Sequence, residues 1–298
     1  MKSIIQSQGA KALPTLEATL EAAGLNWKVL TDDVAGVGSG IVMPRTKLLY
    51  RSDTRRALGV VGIDYEPSDP HTFLSRQFEM AAAMGGSVAQ AGFCEVKSKA
   101  FCFVRLGEEW KLPKSSLKKG DPVQTYLYST DGWDGGTPSR SRLYVERLRC
   151  LNGMTSTEVH SHYWVSHGKG KETRELPRWE EFQEGVTVQI KGIQAQFIAL
   201  ADATMTEFEM LAFLENLLPG ESTRTENRRA ALFKLFSKEE TGNLGQTRWD
   251  AYNAVTEYVT HERGHKEMGA TSSAEENRFY SVLEKDTLRA QAMKLLLN

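Results

Sequence analysis

Residues 27–84 read WKVLTDDVAGVGSGIVMPRTKLLYRSDTRRALGVVGIDYEPSDPHTFLSRQFEMAAAM. Three short β-rich runs come first, WKVL at 27–30, KLLYR at 47–51 and LGVVGIDYE at 58–66, separated by Gly, Pro and Asp. A helix follows. Asp69 stands where an N-cap is needed, and Pro70 takes the first helical position, where its missing N–H leaves no bond unmade. Phe73, Gln77, Met80 and Met84 recur at helical spacing until Gly85-Gly86 ends the element. Gly36, Gly38 and Gly40 resemble part of a phosphate loop. They lack the GxGxxG spacing and the following helix, so they read as a turn between strands. The order strand, strand, strand, helix predicts an α+β class with an antiparallel, β-rich N-terminal sheet.

Downstream, strands are expected at SVAQAGFCEV (87–96), KAFCFVRL (99–106), VQTYLYST (123–130) and SRLYVERLRCL (141–151), with DGWDGG (131–136) as a hairpin loop. From Trp179 the period turns helical: Val186, Ile190, Ile193, Phe197 and Ala201 form one stripe, with Gly192 a mild defect in it. Thr206 with Glu209, Thr223 with Glu226, Thr247 with Asp250 and Ser273 with Glu276 mark four further helix starts. The division expected is therefore an α+β core over 1–178 and an all-helical accessory region over 179–298.

The 37 Lys+Arg against 38 Asp+Glu sum to −1, which argues against a polyanionic partner until the charge is read by segment. Residues 45–119 carry 13 basic and 8 acidic residues, whereas 201–298 carry 12 and 16. A basic strand-rich half is offset by an acidic helical half, so the N-terminal part is the one suited to an anion. No apolar run approaches the ~18–20 residues of a membrane span. MKSIIQSQGAKALP lacks a signal-peptide core, and Cys94, Cys102 and Cys150 form no CxxC, so a cytoplasmic protein is expected.

Enzyme motifs are few. There is no GxxxxGK[ST] and no GxSxG, and the cysteines sit in apolar alternation as buried small hydrophobes. No cofactor is expected. His160, His162 and His167 cluster in a stretch that reads as a polar strand edge and basic loop. His261, Glu262 and His265 match HExxH, in which two histidines bind zinc and the glutamate polarises water. Gly264 interrupts that helix, and Trp249, Tyr252, Val255 and Val259 before it read as a packing stripe. A zinc-dependent hydrolase is thus the alternative function, and a protein–protein module built on the acidic helices is a third.

The positive signal is basic residues interleaved with aromatic ones. Arg51, Arg55 and Arg56 surround Tyr50. Lys97 and Lys99 precede Phe101 and Phe103, which read as buried. Arg140 and Arg142 share a strand face with Tyr144, and Arg147 and Arg149 take the other parity. Grooves for single-stranded nucleic acid combine backbone-tracking charge with rings on which bases stack. The expected contacts are these nine cations on phosphates, with Tyr50, Tyr65 and Tyr144 as stacking faces.

YRSDTRRALGVVGIDYEPSDP (50–70), GDPVQTYLYSTDGWDGG (120–136), RLRCLNG (147–153) and WDAYNAVTEYVTHERG (249–264) resemble the phage- and plasmid-encoded family called domain of unknown function 932. In that family the last of these segments reads as a packing helix. More remotely, the β-β-β-α order of 27–84 is similar to the core of ring-forming phage single-strand annealing proteins. Those proteins hold one strand on a basic groove without a nucleotide cofactor, bases exposed for pairing. The resemblance implies a homo-oligomer, ring or filament, that binds and anneals single-stranded DNA in a phage-infected or plasmid-bearing bacterial cell. A replication or recombination protein is the partner expected at its C-terminal helices.

Overall fold

A computed structural model describes residues 5, 8–112, 120–148, 151–155, 163–165, 179–264 and 273–298. The chain runs β1 (Ala10–Lys11), α1 (Leu16–Ala22), β2 (Val29–Ala35), β3 (Val42–Arg51), β4 (Ala57–Gly62), α2 (Pro70–Ala83), β5 (Ser87–Cys94), β6 (Lys99–Leu112), β7 (Asp121–Gly132), β8 (Ser139–Arg147), β9 (Asn152–Thr155) and β10 (Tyr163–Val165). Helices follow: α3 (Trp179–Asp202), α4 (Glu207–Leu217), α5 (Thr223–Phe236), α6 (Arg248–Glu257), α7 (Ala274–Tyr280) and α8 (Leu288–Leu297). The expected α+β order is the one observed. Among the described residues no helix is long and apolar enough to cross a membrane.

β2, β3 and β4 form a three-stranded antiparallel sheet, and α2 follows it directly. Its first strand starts at Val29, two residues later than expected, because Trp27 turns inward and its indole donates to the Gly24 carbonyl. Asp69 occupies the N-cap of α2 but does not cap it. Its Oδ1 instead accepts from Val29 N at 2.8 Å, tying the start of β2 to the start of α2.

The second sheet has seven antiparallel strands in the order β1-β5-β6-β7-β8-β10, with β9 sharing the outer edge of β8. Strand alternation sorts its side chains by size. Phe101, Phe103, Tyr128 and Tyr144 join one core with α4 to α8. Ala100, Cys102, Val104, Leu127 and Leu143 join the other, with α1, α2 and the three-stranded sheet. Small residues let α2 approach closely, and the aromatic face fills the wider gap to the helices. Burying each such ring contributes roughly 1.5–3 kcal/mol. α3 belongs to both cores, Phe182 and Val186 to one and Phe197 and Leu200 to the other, so it binds helices and sheet together.

The helix starts follow the expected signals with one shift. Thr206 with Glu209 and Thr247 with Asp250 make reciprocal capping boxes, and Ser273 accepts from Glu276 N. The remaining start is capped by Ser222, one residue before the expected Thr223, because the Ser222 hydroxyl is the one that meets Thr225 N.

Candidate nucleic-acid interface

Seven of the nine predicted cations fall in two groups of contacts, one around Arg51 and Glu95 and one around Tyr280 and Glu284, joined by the chain through the β5–β6 turn. Together they make a string built from the β3–β4 turn, the β5–β6 turn and the start of β8. Arg51 opens it. Its guanidinium lies 4.7 Å from the Trp27 ring centroid and 5.3 Å from that of Phe93, and it bonds Asp53 at 3.0 and 2.8 Å and Glu95 at 2.6 Å. The Arg51 hydrogen bond holds the Asp53 carboxyl down at about 2. Arg56, half exposed, reaches the other Glu95 oxygen at 2.5 Å. Arg55 is exposed, at φ 59°, with its guanidinium 5.5 Å from the Tyr50 ring centroid and Nη1 donating to the Tyr50 hydroxyl at 3.2 Å.

Past Glu95 the string enters the turn that carries Lys97, whose ammonium lies 3.6 Å from the Tyr280 ring centroid. Lys99 is buried and donates to both oxygens of Glu284, at 2.7 and 2.8 Å. The Tyr128 hydroxyl donates to the same carboxylate at 2.9 Å, and Arg140 Nη2 stands 3.5 Å from it. Arg142 Nη1 donates to the Leu283 carbonyl at 3.1 Å. Burial would raise the Glu284 carboxyl, but Lys99, Arg140 and Tyr128 hold it below the ordinary range. Burial lowers Lys99 despite its partner, and burial with the neighbouring Arg140 lowers Arg142. Beside them Cys94 Sγ donates to Glu276 at 2.5 Å; burial and then Glu276 push this thiol up to about 11, so it is no nucleophile.

The string divides by access. Arg51 and Lys99 are buried and paired, whereas Arg55, Arg56, Lys97 and Arg140 keep part of their side chains at the surface. Arg147 is elsewhere, seven residues along β8 from Arg140 or roughly 23 Å at strand rise. It is fully buried, 2.6 Å from Asp121, donating to Asn243 and to the Gly242 carbonyl beside Trp249. That arginine joins the sheet to the helices and faces no solvent. Tyr144 is equally buried, edge-on to Phe103 at 5.7 Å, and the Tyr65 hydroxyl donates to the Gly132 carbonyl. Tyr50 is the predicted ring that stands next to an exposed cation.

Sequence reasoning missed the carboxylates Glu95 and Glu284 that organise the string. Glu284 is 185 residues from Lys99, and no local pattern marks it. Arg149, His160, His162, His167, Cys150 and His265 lie outside the described residues. His261 and Glu262 end α6 in a π-helical turn, with Glu262 4.0 Å from Lys238. Among the described residues no three His, Cys, Asp or Glu side chains are grouped to hold a metal.

No curated protein and no solved structure matches the chain. One family model does, that described as "Domain of unknown function (DUF932)", over residues 57–283. That span takes in α2, the whole of β5 to β8 and the helices through α7, well over half the chain, and the protein therefore belongs to the DUF932 family.

Proposed function

We propose that this protein binds single-stranded DNA along the cationic string. The observation that carries the reading is that Arg55 and Arg56, Lys97, and Arg140, on three segments tied together through the β5–β6 turn and Glu284, each retain surface access. Phosphates spaced along an extended strand suit such a line of separate cations, and each contact releases a counterion. Arg51 and Lys99 act behind it: paired with Asp53, Glu95 and Glu284, they fix the turns from which the accessible cations project.

Four accessible cations predict a log–log salt slope of about −3, or roughly 50-fold weaker binding at 200 mM than at 50 mM salt. Fluorescence anisotropy of a labelled oligonucleotide measures this. Arg55→Ala with Arg56→Ala should flatten the slope by about 1.4. No binding at low salt refutes the proposal, and an unchanged slope removes that pair from the interface. The oligomeric form expected of an annealing protein is tested by solution mass with and without oligonucleotide.

A further inference from the structure

The three-stranded sheet has one face in the core and one outside it. Leu49, Val61 and Arg51 point inward, and Gly59 lies against the Trp133 carbonyl. Alternation sends Leu30, Leu48, Tyr50 and Val60 to the opposite face, where the register sets Leu30 beside Tyr50 and Leu48 beside Val60. None of the four belongs to either core, and Val60 is 52% exposed. The face continues toward the hairpin end, where Val42, of the same parity as Leu48, is exposed as well.

Charge on this sheet is uneven along the strands: Lys28, Arg51, Arg55 and Arg56 stand with Asp53 toward one end, and Arg45 and Lys47 with Asp32, Asp33 and Asp64 toward the other. Lys28, Arg55 and Arg56 stand at one end, where β2 begins and β3 turns into β4, and the Lys28 amide is bonded to Ser52 across that end. Asp32 lies on the outer face one row inward, opposite Leu48. A phosphate backbone is therefore drawn to the Tyr50 end and repelled from the Asp32 row. Successive outward rows are about 7 Å apart, so bases attached to a backbone at the first end reach across the Leu30–Tyr50 row to the Leu48–Val60 row. Arg55, its guanidinium 5.5 Å from the Tyr50 ring centroid and bonded to the Tyr50 hydroxyl, adds a planar cation at the junction.

Resting on the single-strand reading above, we infer that the outer face of β2-β3-β4 seats unpaired bases, with Arg55, Arg56 and Lys28 on the adjoining phosphates. An apolar face rimmed at one end by cations fits a ligand that is flat and apolar on one side and anionic along one edge. Asp32, an acceptor only, is placed to take an exocyclic amine from a base at the far row. A strand so seated has its bases against protein, the reverse of the presentation used by annealing proteins.

The test compares an oligodeoxycytidylate, whose bases carry the exocyclic amine, with an abasic oligomer of equal length, which keeps the phosphates and lacks the bases. The wild-type protein should bind the abasic oligomer about tenfold more weakly at equal salt. Val60→Ser, at an exposed position that touches none of the four accessible cations named above, should shrink that ratio while leaving the salt slope of the abasic oligomer unchanged. Equal binding of the two oligomers overturns the base seat but leaves the cationic interface standing. Failure of both to bind at low salt overturns the single-strand reading itself. If Val60→Ser converts an oligomer to a monomer without moving the ratio, a second copy of the chain covers this face and the base seat is wrong.

Discussion

Replacing Glu284 by glutamine tests the anchor of the cationic string. The carboxylate takes two bonds from Lys99 and one from Tyr128, with Arg140 3.5 Å away, and the Lys99 and Glu284 side chains are 5% and 10% exposed. Glutamine keeps an acceptor for Tyr128 but removes the countercharge, leaving the Lys99 ammonium buried beside two arginines. Removing one partner of a buried pair typically costs about 3–5 kcal/mol. The penalty has a ceiling, because Lys99 can shed its proton: neutralising at pH 7 a lysine of free pKa near 10.4 costs about 4.6 kcal/mol. The variant should thus lose about 3–4 kcal/mol at pH 7. Its folded state would bind fewer protons than its unfolded state, so its stability rises with pH, recovering up to about 1.4 kcal/mol per unit toward pH 9. Urea unfolding followed by tryptophan fluorescence at both pH values measures this. The paired replacement Lys99→Met with Glu284→Gln should restore most of the loss, since methionine needs no countercharge and glutamine keeps the acceptor for Tyr128. A change below about 1 kcal/mol at pH 7, or a loss that does not shrink at pH 9, refutes the reasoning.

Gly59→Ala should cost about 1–3 kcal/mol in the same unfolding assay, because its Cβ would stand 2.6 Å from the Trp133 carbonyl oxygen and 3.0 Å from Asp134 Cα, both backbone. Gly62→Ala, whose Cβ meets nothing within 4 Å, is the control and should change stability by less than the Gly59 variant. Cys94 and Cys102, both buried with their thiols raised, should stay unmodified by iodoacetamide at pH 8 in the folded protein and react on unfolding, as read by peptide mass spectrometry. Asp53, depressed by Arg51, should stay ionised to about pH 2 in a carboxyl ¹³C titration. Its pairing supports the fold above the usual carboxylate range and is lost as pH falls through about 2.

Most of the fold was legible because it follows from periodicity. β6 alternates Ala100, Phe101, Cys102, Phe103, and that alternation alone separates the two cores. Strands β1, β9 and β10, of two to four residues, are too short to show a period and exist through pairing with distant strands. The candidate site was legible in part, and the same parity explains which part. Lys99 shares its parity with Phe101 and Phe103, and Arg51 shares its parity with Leu49, so strand alternation already places both on core-facing sides. Their charge suggested solvent because the partners that make burial tolerable, Glu284 and Glu95, are remote in sequence. Arg147 repeats the case: Asp121 pairs it from the start of the neighbouring strand, and Asn243 closes on it from the helical region. Arg55 and Arg56 differ because they lie in the turn between β3 and β4, where no alternation assigns a buried side. A cation within a core strand must carry its own countercharge, whereas a cation on a turn stays in reach of an external one, even where, like Arg56, it also has a partner. That distinction puts the accessible cations of the candidate interface on the turns and the start of β8, with the paired cations of the strand interiors behind them.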